Sequence, residues 1–195
     1  MKSIFIIGVS SNLGSFLSKK LSSKKYEIHG SYNNNKIVNK SYVKLNEQSS
    51  DEYIKDVLKI RPSFVIHCAA LTNIEECEKN LDKTINVNSK FPTKVAKICK
   101  ELGIKFIFIS TDQIFDGTQK KYSENVPPKP LNNYAISKVE AEKNILKINN
   151  ESLILRLSFI GKSLINQKNF FDFVHDSLKN KKEIKGFDDI FFTPI

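Results

Sequence analysis

The strongest indication of the fold in this sequence is the stretch Ile4-Phe5-Ile6-Ile7-Gly8-Val9-Ser10-Ser11-Asn12-Leu13-Gly14. An apolar run of strand length ends at Gly8, and a segment with apolar residues at helical spacing begins at Asn12. A glycine at the end of a strand permits a tight turn, and Gly14 lets the helix pack close to the sheet. The helix N-terminus then offers free N–H groups and a positive dipole end to a pyrophosphate. The pattern predicts a phosphate-binding strand–turn–helix unit.

Ser11 departs from the G-x-x-G-x-x-G pattern of such turns, which has its middle glycine at this position. Serine adds a Cβ atom where the backbone must approach a phosphate closely, but its hydroxyl can donate a hydrogen bond to that phosphate. Asn12 tolerates a left-handed backbone conformation if the turn requires one. Taken alone, the turn is also compatible with an ordinary strand–turn–helix unit that binds no ligand.

Beyond the turn, apolar runs of strand length alternate with longer segments of helical spacing. The predicted strands are residues 4–7, 26–31, 42–45, 64–68, 104–109 and 152–157. The predicted helices are residues 12–22, 51–60, 81–102 (with a kink or break at Pro92), 134–148 and 169–178. Residues 117–132 contain three prolines and are expected to be irregular. This alternation predicts an α/β, doubly wound parallel sheet with helices on both faces, a Rossmann fold.

The length of 195 residues suits one domain, or one domain and part of a second. No apolar run approaches the roughly 20 residues that a membrane-spanning helix needs. The apolar stretch near the N-terminus is too short for a signal peptide, and no small-residue cleavage site follows it. We therefore expect a cytoplasmic protein with no membrane partner.

The cysteines and the net charge exclude further classes of function. Cys68, Cys77 and Cys99 lack C-x-x-C spacing, so we expect three reduced thiols, no disulfide and no metal site. The 31 Lys and Arg residues against 21 Asp and Glu give a net charge of +10. The lysines are scattered rather than gathered into a run with aromatic residues, so we expect no nucleic-acid partner. Charge alone leaves nucleic-acid binding as an alternative, which would require an affinity that falls steeply with salt.

The end of the second predicted strand bears on the choice between NAD and NADP. An NAD-preferring site usually places Asp or Glu there, where the carboxylate binds the adenosine ribose. Residues 28–36 contain no acid, and because an acid would repel a 2′-phosphate, its absence favours NADP(H) over NAD(H). The candidate contacts for that phosphate are Ser31, Asn33 and Lys36.

Tyr134 and Lys138 lie four residues apart, which places them on one face of a predicted helix. A free tyrosine has a pKa of about 10 and is a poor acid–base catalyst at neutral pH. A nearby lysine cation is expected to lower that pKa and to hold the ribose of a bound nicotinamide. Tyr134 can then protonate the alkoxide that forms as hydride reaches a carbonyl. By itself the pair is also typical of a solvated helix face.

Thr111 and Asp112 end the strand that precedes this helix, at the edge where open parallel sheets bind ligands. Thr111 can donate a hydrogen bond to the substrate carbonyl and help to orient Tyr134. Its alternative role is to cap the turn that follows.

These elements, in this order, resemble the extended short-chain dehydrogenase/reductases, and within them the dTDP-4-dehydrorhamnose reductase group. The most specific likeness is Ser110-Thr111-Asp112-Gln113-Ile114-Phe115-Asp116-Gly117, which is similar to the S-T-D-x-V-F-D-G segment of that group. The others are residues 8–14, residues 65–73, and residues 122–138, which include the Tyr134–Lys138 pair. Leu155-Arg156 and Phe192-Thr193-Pro194 are further landmarks, and the likeness spans nearly the whole chain.

The resemblance implies NAD(P)H-dependent reduction of a 4-keto nucleotide sugar in deoxysugar and surface polysaccharide biosynthesis. It implies that Thr111, Tyr134 and Lys138 are catalytic, and that Thr111 and Asp112 contact the sugar; the alternative role of Asp112 is a loop cap. The full set of predicted cofactor contacts is Gly8, Ser11, Asn12, Leu13, Gly14, Ser31, Ala69, Ala70, Leu71, Thr72, Tyr134 and Lys138.

The resemblance also implies how the chain is organised. Residues 1–157 are expected to form the NAD(P)-binding domain, and residues 158–195 the start of a small C-terminal substrate-binding region that is incomplete here. The partner expected besides the nucleotide sugar is a second copy of the chain in a homodimer. Asn86 is expected to be a structural packing residue, and His67 a core or loop histidine with satisfied hydrogen bonds.

Two related or competing functions remain. An epimerase or dehydratase of the same group would use the same tyrosine and lysine, but a dehydratase adds an acidic pair beside the catalytic threonine. Here Asp112 is followed by Gln113, which favours the reductase. The alternative from another class is a nonenzymatic NADP-binding regulatory subunit, because the methionine adenosyltransferase β subunit resembles the same group.

Overall fold

Six parallel strands form one sheet in the computed structural model, which describes residues 2–35, 39–119, 121–165 and 169–186. The strands are β1 (Ser3–Ile7), β2 (Glu27–Tyr32), β3 (Tyr42–Lys44), β4 (Phe64–His67), β5 (Lys105–Thr111) and β6 (Leu153–Leu157). Their order across the sheet is β3-β2-β1-β4-β5-β6, and every neighbouring pair is parallel. The chain therefore starts in the middle of the sheet, builds one half, and returns to build the other.

The α-helices in chain order are α1 (Asn12–Ser22), α2 (Asp51–Val57), α3 (Ile74–Lys79), α4 (Leu81–Ile85), α5 (Phe91–Leu102), α6 (Asn133–Ile148) and α7 (Phe170–Lys179). A 3-10 turn at Leu58–Ile60 extends α2, so the predicted helix over residues 51–60 changes type in its last turn. The other predicted helices and strands agree with the structure to within one or two residues at each end, the region of residues 81–102 excepted.

The central strand β1 is buried on both faces, which explains the two layers of helices. Phe5 and Ile7 pack into a cluster that includes Val95 of α5 and other residues from α2 and α6. Ile4 and the other alternating residues of the strand pack into a second cluster, against Leu17 of α1. A strand that is apolar on both faces needs cover on both, and the predicted α/β, doubly wound parallel sheet of the Rossmann type is confirmed.

The predicted long helix over residues 81–102 consists of three segments. Between α4 and α5 lies a π-helical turn, Asn86–Lys90, which widens the helix by one residue. The prediction of a break at Pro92 is wrong in its position, because the irregular turn lies before that residue. Pro92 sits in the first turn of α5, where proline is well tolerated. The helix is closed by Gly103 in the left-handed conformation, with a φ of 68°.

Two short elements were not predicted. Helix α3 begins after Asn73, whose side chain accepts the N–H of Glu76 at 2.8 Å. A single 3-10 turn, Asp112–Ile114, follows β5. Elements of six and three residues are too short to show an apolar period, so their capping residues are the only sequence signal for them.

The carboxyl ends of β1, β4 and β5 meet at one edge of the sheet. In the ladder, Ile7 pairs with His67, and His67 pairs with Phe108. The segments that follow these strands therefore lie side by side, at the edge where open α/β sheets bind ligands. These segments carry most of the predicted site residues.

Candidate functional site

The turn between β1 and α1 has no room for a side chain at either glycine. Gly8 has a φ of 80°, and a Cβ atom there would come within 2.8 Å of the backbone nitrogen of Ala69. A Cβ atom on Gly14 would clash with the carbonyl oxygen of Gly8. Both glycines therefore do what the sequence predicts, because they allow the helix, the strand and the neighbouring segment to approach one another closely.

Ser11 is the N-cap of α1, and its Oγ accepts a 3.0 Å hydrogen bond from the N–H of Gly14. A hydroxyl can accept and donate at once, so its own proton can still be offered to a phosphate. Asn12 and Leu13 are partly exposed in the first turn of α1, and Asn12 has no need of the left-handed conformation considered for it. The Asn12 Oδ1 atom accepts a 2.6 Å hydrogen bond from Ser163, so the segment after β6 lies against the turn.

Ser31 holds the glycine turn through its backbone. Its carbonyl oxygen accepts the N–H groups of Gly8 at 3.1 Å and of Val9 at 2.8 Å. Its side chain is fully buried, and its Oγ has no hydrogen-bond partner among the described residues. A contact between this hydroxyl and a 2′-phosphate stays a prediction. Asn33 is exposed and accepts a 3.2 Å hydrogen bond from Asn46, and Lys36 lies outside the described residues.

The segment after β4, which contains residues 69–72, is held in place by Asn88. The Asn88 Oδ1 atom accepts the N–H of Leu71 at 2.8 Å, and its Nδ2 group donates to the carbonyl of Leu71 at 2.9 Å. The same Nδ2 group donates to Ser137 at 3.1 Å, and Ser137 donates to the carbonyl of Tyr134 at 2.6 Å. One buried amide thus joins the predicted cofactor segment to α6.

The structural asparagine is therefore Asn88 and not Asn86, which is exposed. Both residues lie within the predicted helix over residues 81–102, and only Asn86 was predicted to pack. The π-helical turn that contains them changes which residues face the core, because it departs from the ordinary period of 3.6 residues per turn. No sequence pattern predicted that turn.

Tyr134 and Thr111 meet at the carboxyl edge of the sheet. Their side chains are 9% and 5% exposed. Burial raises the pKa of Tyr134 to about 12, and a hydrogen bond with the Thr111 side chain opposes that rise. The phenol therefore stays protonated at neutral pH, which suits a group that donates a proton to a developing alkoxide. The expected lowering of the Tyr134 pKa is wrong for this structure.

The side chain of Lys138 is directed into the protein interior. Its side chain is 2% exposed, and its Nζ atom donates a 2.6 Å hydrogen bond to the carbonyl of Ile109. The same atom lies 3.9 Å from the centre of the Phe108 ring. Burial lowers the pKa of Lys138 to about 7, and the Glu142 carboxylate opposes that fall. Burial thus disfavours the charged form of this lysine compared with a lysine in water.

His67 is a core residue, but its hydrogen bonds are not satisfied. It is fully buried among the rings of Phe91, Phe106 and Phe108, with its own ring centroid 5.3 Å from that of Phe91. Neither ring nitrogen has a hydrogen-bond partner within the described part of the chain. Burial, together with the nearby Lys138, lowers the pKa of His67 to about 3. The expectation of a satisfied histidine is wrong, and the ring stays neutral across the physiological range.

Asp112 lies beside Thr111, and its Oδ1 atom accepts a 3.2 Å hydrogen bond from the Thr111 hydroxyl. Thr111 in turn accepts the N–H of Gln113 at 3.2 Å, so it caps the 3-10 turn as its alternative role suggested. The same threonine therefore serves both the turn and Tyr134. A contact between Asp112 and a sugar hydroxyl stays a prediction.

The three cysteines are free, as predicted. Burial raises the pKa of Cys68 and Cys99 to about 12, so neither thiol is a thiolate at neutral pH. Within residues 2–35, 39–119, 121–165 and 169–186, no group of three His, Cys, Asp or Glu residues could hold a metal ion. In the same part of the chain, no helix is long and apolar enough to cross a bilayer.

Comparisons with known proteins identify the family to which the chain is similar. The model of the RmlD substrate binding domain family matches residues 1–195. The probable low-salt glycan biosynthesis reductase of Haloferax volcanii is 32% identical over 158 residues, which cover 80% of this chain and 53% of that protein. Methionine adenosyltransferase 2 subunit beta of Danio rerio is 30% identical over 159 residues, which cover 80% of this chain and 47% of that protein.

A solved structure extends the likeness to three dimensions. The dTDP-4-dehydrorhamnose reductase of Bacillus anthracis, in complex with NADP, matches with a TM-score of 0.78 at 28% identity. The match covers 94% of this chain and 62% of that one. The chain thus spans about half the length of the curated relatives named above and less than two thirds of this solved reductase.

Proposed function

Because the chain belongs to the RmlD substrate binding domain family, we propose that it is an NAD(P)H-dependent reductase of a 4-keto nucleotide sugar. The observation that carries the proposal is the contact of Tyr134 with Thr111 at the sheet edge that also holds the glycine turn. We propose that the substrate carbonyl binds beside this protonated phenol and this hydroxyl, next to a bound dinucleotide. The relatives that are named as reductases support the same reading.

The residues of the turn fit a dinucleotide. A side chain at either Gly8 or Gly14 would push apart the strand, the helix and the segment after β4, and would so distort the turn whose helix N-terminus would face a pyrophosphate. We propose that Gly8, Ser11, Asn12, Leu13 and Gly14 border that pyrophosphate, and that residues 69–72 lie beside the nicotinamide. When bound, the nicotinamide supplies a hydride to the substrate carbon. No acidic side chain is present at the end of β2, so the preferred cofactor is proposed to be NADP(H).

In the proposed reaction, this chain's residues bind the carbonyl oxygen and move one proton. The Thr111 hydroxyl donates a hydrogen bond to the carbonyl oxygen and keeps it against Tyr134. The Tyr134 phenol gives its proton to the alkoxide as negative charge develops there. Lys138 donates to the carbonyl of Ile109 in this structure, and we propose that it turns towards the nicotinamide ribose when the cofactor is bound. Asp112 is proposed to accept hydrogen bonds from sugar hydroxyls.

We also propose a domain organisation, a pathway, a cellular location and an oligomeric state for the chain. Residues 1–157 form the cofactor-binding domain, and residues 158–195 contribute to substrate binding. The reaction belongs to deoxysugar and surface polysaccharide biosynthesis, in the cytoplasm, and the chain acts as a homodimer. The likeness to a glycan biosynthesis reductase and to a dTDP-4-dehydrorhamnose reductase supports the proposed place in polysaccharide biosynthesis.

A second candidate is a nonenzymatic NADP-binding regulatory subunit. It is favoured by the 30% identity to methionine adenosyltransferase 2 subunit beta of Danio rerio. Such a subunit would bind the cofactor and form a complex with a partner enzyme, but it would consume no cofactor when offered a keto sugar.

Two assays on the 195-residue chain separate these functions. The first is a thermal-shift titration with NADPH and, separately, NADH, where saturation at 100 times the Kd stabilises the fold by ~2.7 kcal/mol. The second is NADPH consumption in the presence of dTDP-4-dehydrorhamnose. Binding with turnover supports the reductase. Binding without turnover favours the regulatory subunit only if the chain also forms a complex with a partner enzyme, because the substrate-binding region is expected to be incomplete here. No binding of either cofactor contradicts both.

A further inference from the structure

The carboxylate of Glu142 joins the neighbouring strands β5 and β6. It is buried on α6, and its Oε1 atom accepts a 2.5 Å hydrogen bond from the hydroxyl of Ser110. Its Oε2 atom accepts a 2.7 Å hydrogen bond from the guanidinium of Arg156, which also donates from Nε. Ser110 on β5 and Arg156 on β6 are direct neighbours in the sheet. Glu142 thus links both strands to the helix that carries Tyr134.

Arg156 extends this network to the loop over residues 112–132. Its Nη1 group donates a 3.1 Å hydrogen bond to the backbone carbonyl of Glu124. Its guanidinium lies 5.5 Å from the centre of the Phe115 ring, which stacks on Tyr122 at 4.3 Å. The arginine therefore contacts the loop both through hydrogen bonding and through an aromatic face.

The two ends of this loop carry the two groups proposed to act on the carbonyl. Thr111 immediately precedes the loop, and Tyr134 follows it in the first turn of α6. The N-cap of that helix is Asn132, the last residue of the loop, whose side chain accepts the N–H of Ala135 at 2.8 Å. A displacement of the loop would therefore change how Thr111 and Tyr134 face each other.

We propose that Arg156 is a positioning residue for the reduction. By bridging the Glu142 carboxylate and the Glu124 carbonyl, it fixes the loop so that Thr111 and Tyr134 converge on one oxygen atom. The inference rests on the proposed function. Only arginine suits this place, because its planar fork presents donors in two directions at once, whereas lysine is a compact point charge.

The conservative variant R156K tests the inference. Lysine can still pair with Glu142, but it cannot also reach the carbonyl of Glu124. We expect kcat for dTDP-4-dehydrorhamnose to fall about tenfold or more, because a small misplacement of reacting groups costs rate. The Kd for NADPH should stay within about twofold, because Arg156 has no contact with the glycine turn. A merely structural role would weaken both measurements together.

Arg61 supplies the matched control, because it is the other arginine of the chain. Its Nη1 group also donates to a backbone carbonyl, that of Leu102, at 2.9 Å, but far from the proposed site. R61Q should leave kcat and the Kd for NADPH unchanged, whereas R156Q should lose at least as much kcat as R156K. If R156K and R156Q keep the kcat of the wild type, or lose cofactor binding in step with kcat, the inference is overturned.

Backbone hydrogen exchange keeps the inference testable if the wild-type chain shows no turnover. The amides of Val126 and Lys129 donate within the loop, to the carbonyls of Ser123 and Ile114. In R156K they should exchange about tenfold faster than in the wild type, while the amides of α2 stay unchanged. The milder variant F115L replaces R156K if R156K does not fold. Unchanged exchange overturns the positioning role, whereas absent turnover with faster exchange contradicts the proposed function alone.

Discussion

The Nζ atom of Lys138 donates a 2.6 Å hydrogen bond to the backbone carbonyl of Ile109, which lies two residues before Thr111 on β5. This bond directs the lysine side chain towards β5. Almost no solvent reaches the ammonium group, so its charge depends on this carbonyl, on the ring of Phe108 and on the Glu142 carboxylate. The charge state of Lys138 should therefore affect the stability of the fold.

The first prediction concerns stability between neutral and alkaline pH. The pKa of Lys138 is about 7 in the folded chain and 10.5 when the lysine is exposed to solvent in the unfolded chain. Between pH 7 and pH 10.5 the unfolded chain therefore binds more protons than the folded chain. Stability should therefore rise with pH from about 7 upwards. In urea unfolding, the wild type should gain about 2 kcal/mol more than K138M between about pH 7 and pH 9. Equal gains for both proteins would show that Lys138 is not buried in solution.

The second prediction concerns His67 and acid. Its pKa is about 3 in the folded chain and 6.5 when unburied, so the unfolded chain binds the extra proton as pH falls below 6.5. The wild type should lose about 2–3 kcal/mol more than H67L between about pH 6.5 and pH 4. H67L should also be no less stable at neutral pH, because it removes two unpartnered ring nitrogens.

The control for this measurement is H175L, because the side chain of His175 is 59% exposed on α7. It should keep the acid sensitivity of the wild type. An H67L variant that loses stability as steeply as the wild type would mean that another group causes the acid sensitivity.

The third prediction separates the two asparagines of the π-helical turn. N88A should lose about 2–4 kcal/mol of unfolding free energy, because it removes three hydrogen bonds and leaves the backbone groups of Leu71 unpaired. It should also weaken NADPH binding, because residues 69–72 are proposed to lie beside the nicotinamide. N86A, on the exposed side, should change both by little. Chemical denaturation and an NADPH titration of both variants decide it, and similar losses in the two would contradict the assignment.

The fourth prediction concerns the glycine turn. G14A places a methyl group against the carbonyl of Gly8, so α1 must move away from β1. We expect the thermal shift with saturating NADPH to disappear. G161A is the matched change, because a Cβ atom there meets nothing within 4 Å. If G14A binds NADPH as tightly as the wild type does, the cofactor does not bind at the glycine turn.

The fold was predictable because its signals are local and repeated. The apolar run of β1 ends at Gly8, and the helix after it is 11 residues long. The predicted helix has the same bounds as the observed one, and the predicted strand begins one residue later than β1. The apolar residues of β1 point to both faces, which is what a doubly wound sheet requires. Such patterns do not depend on knowing which distant residues meet.

The parts of the site that were missed depend on such distant contacts. Spacing places Tyr134 and Lys138 on one face of α6, but it does not show that the lysine reaches the carbonyl of Ile109, 29 residues earlier. The buried rings around His67 come from three other positions in the chain. The choice of Asn88 over Asn86 depends on a π-helical turn that has no sequence signature.

If the Tyr134 phenol donates a proton during NADPH-dependent reduction, Y134F should lose turnover while it keeps its affinity for the cofactor. Y134F and the wild type are assayed for NADPH consumption with dTDP-4-dehydrorhamnose at saturating NADPH, after the Kd for NADPH of each has been measured. We expect Y134F to bind NADPH within about twofold of the wild type and to lose at least about 100-fold in kcat. A Y134F variant that reduces the sugar at the wild-type rate would contradict this role of the phenol.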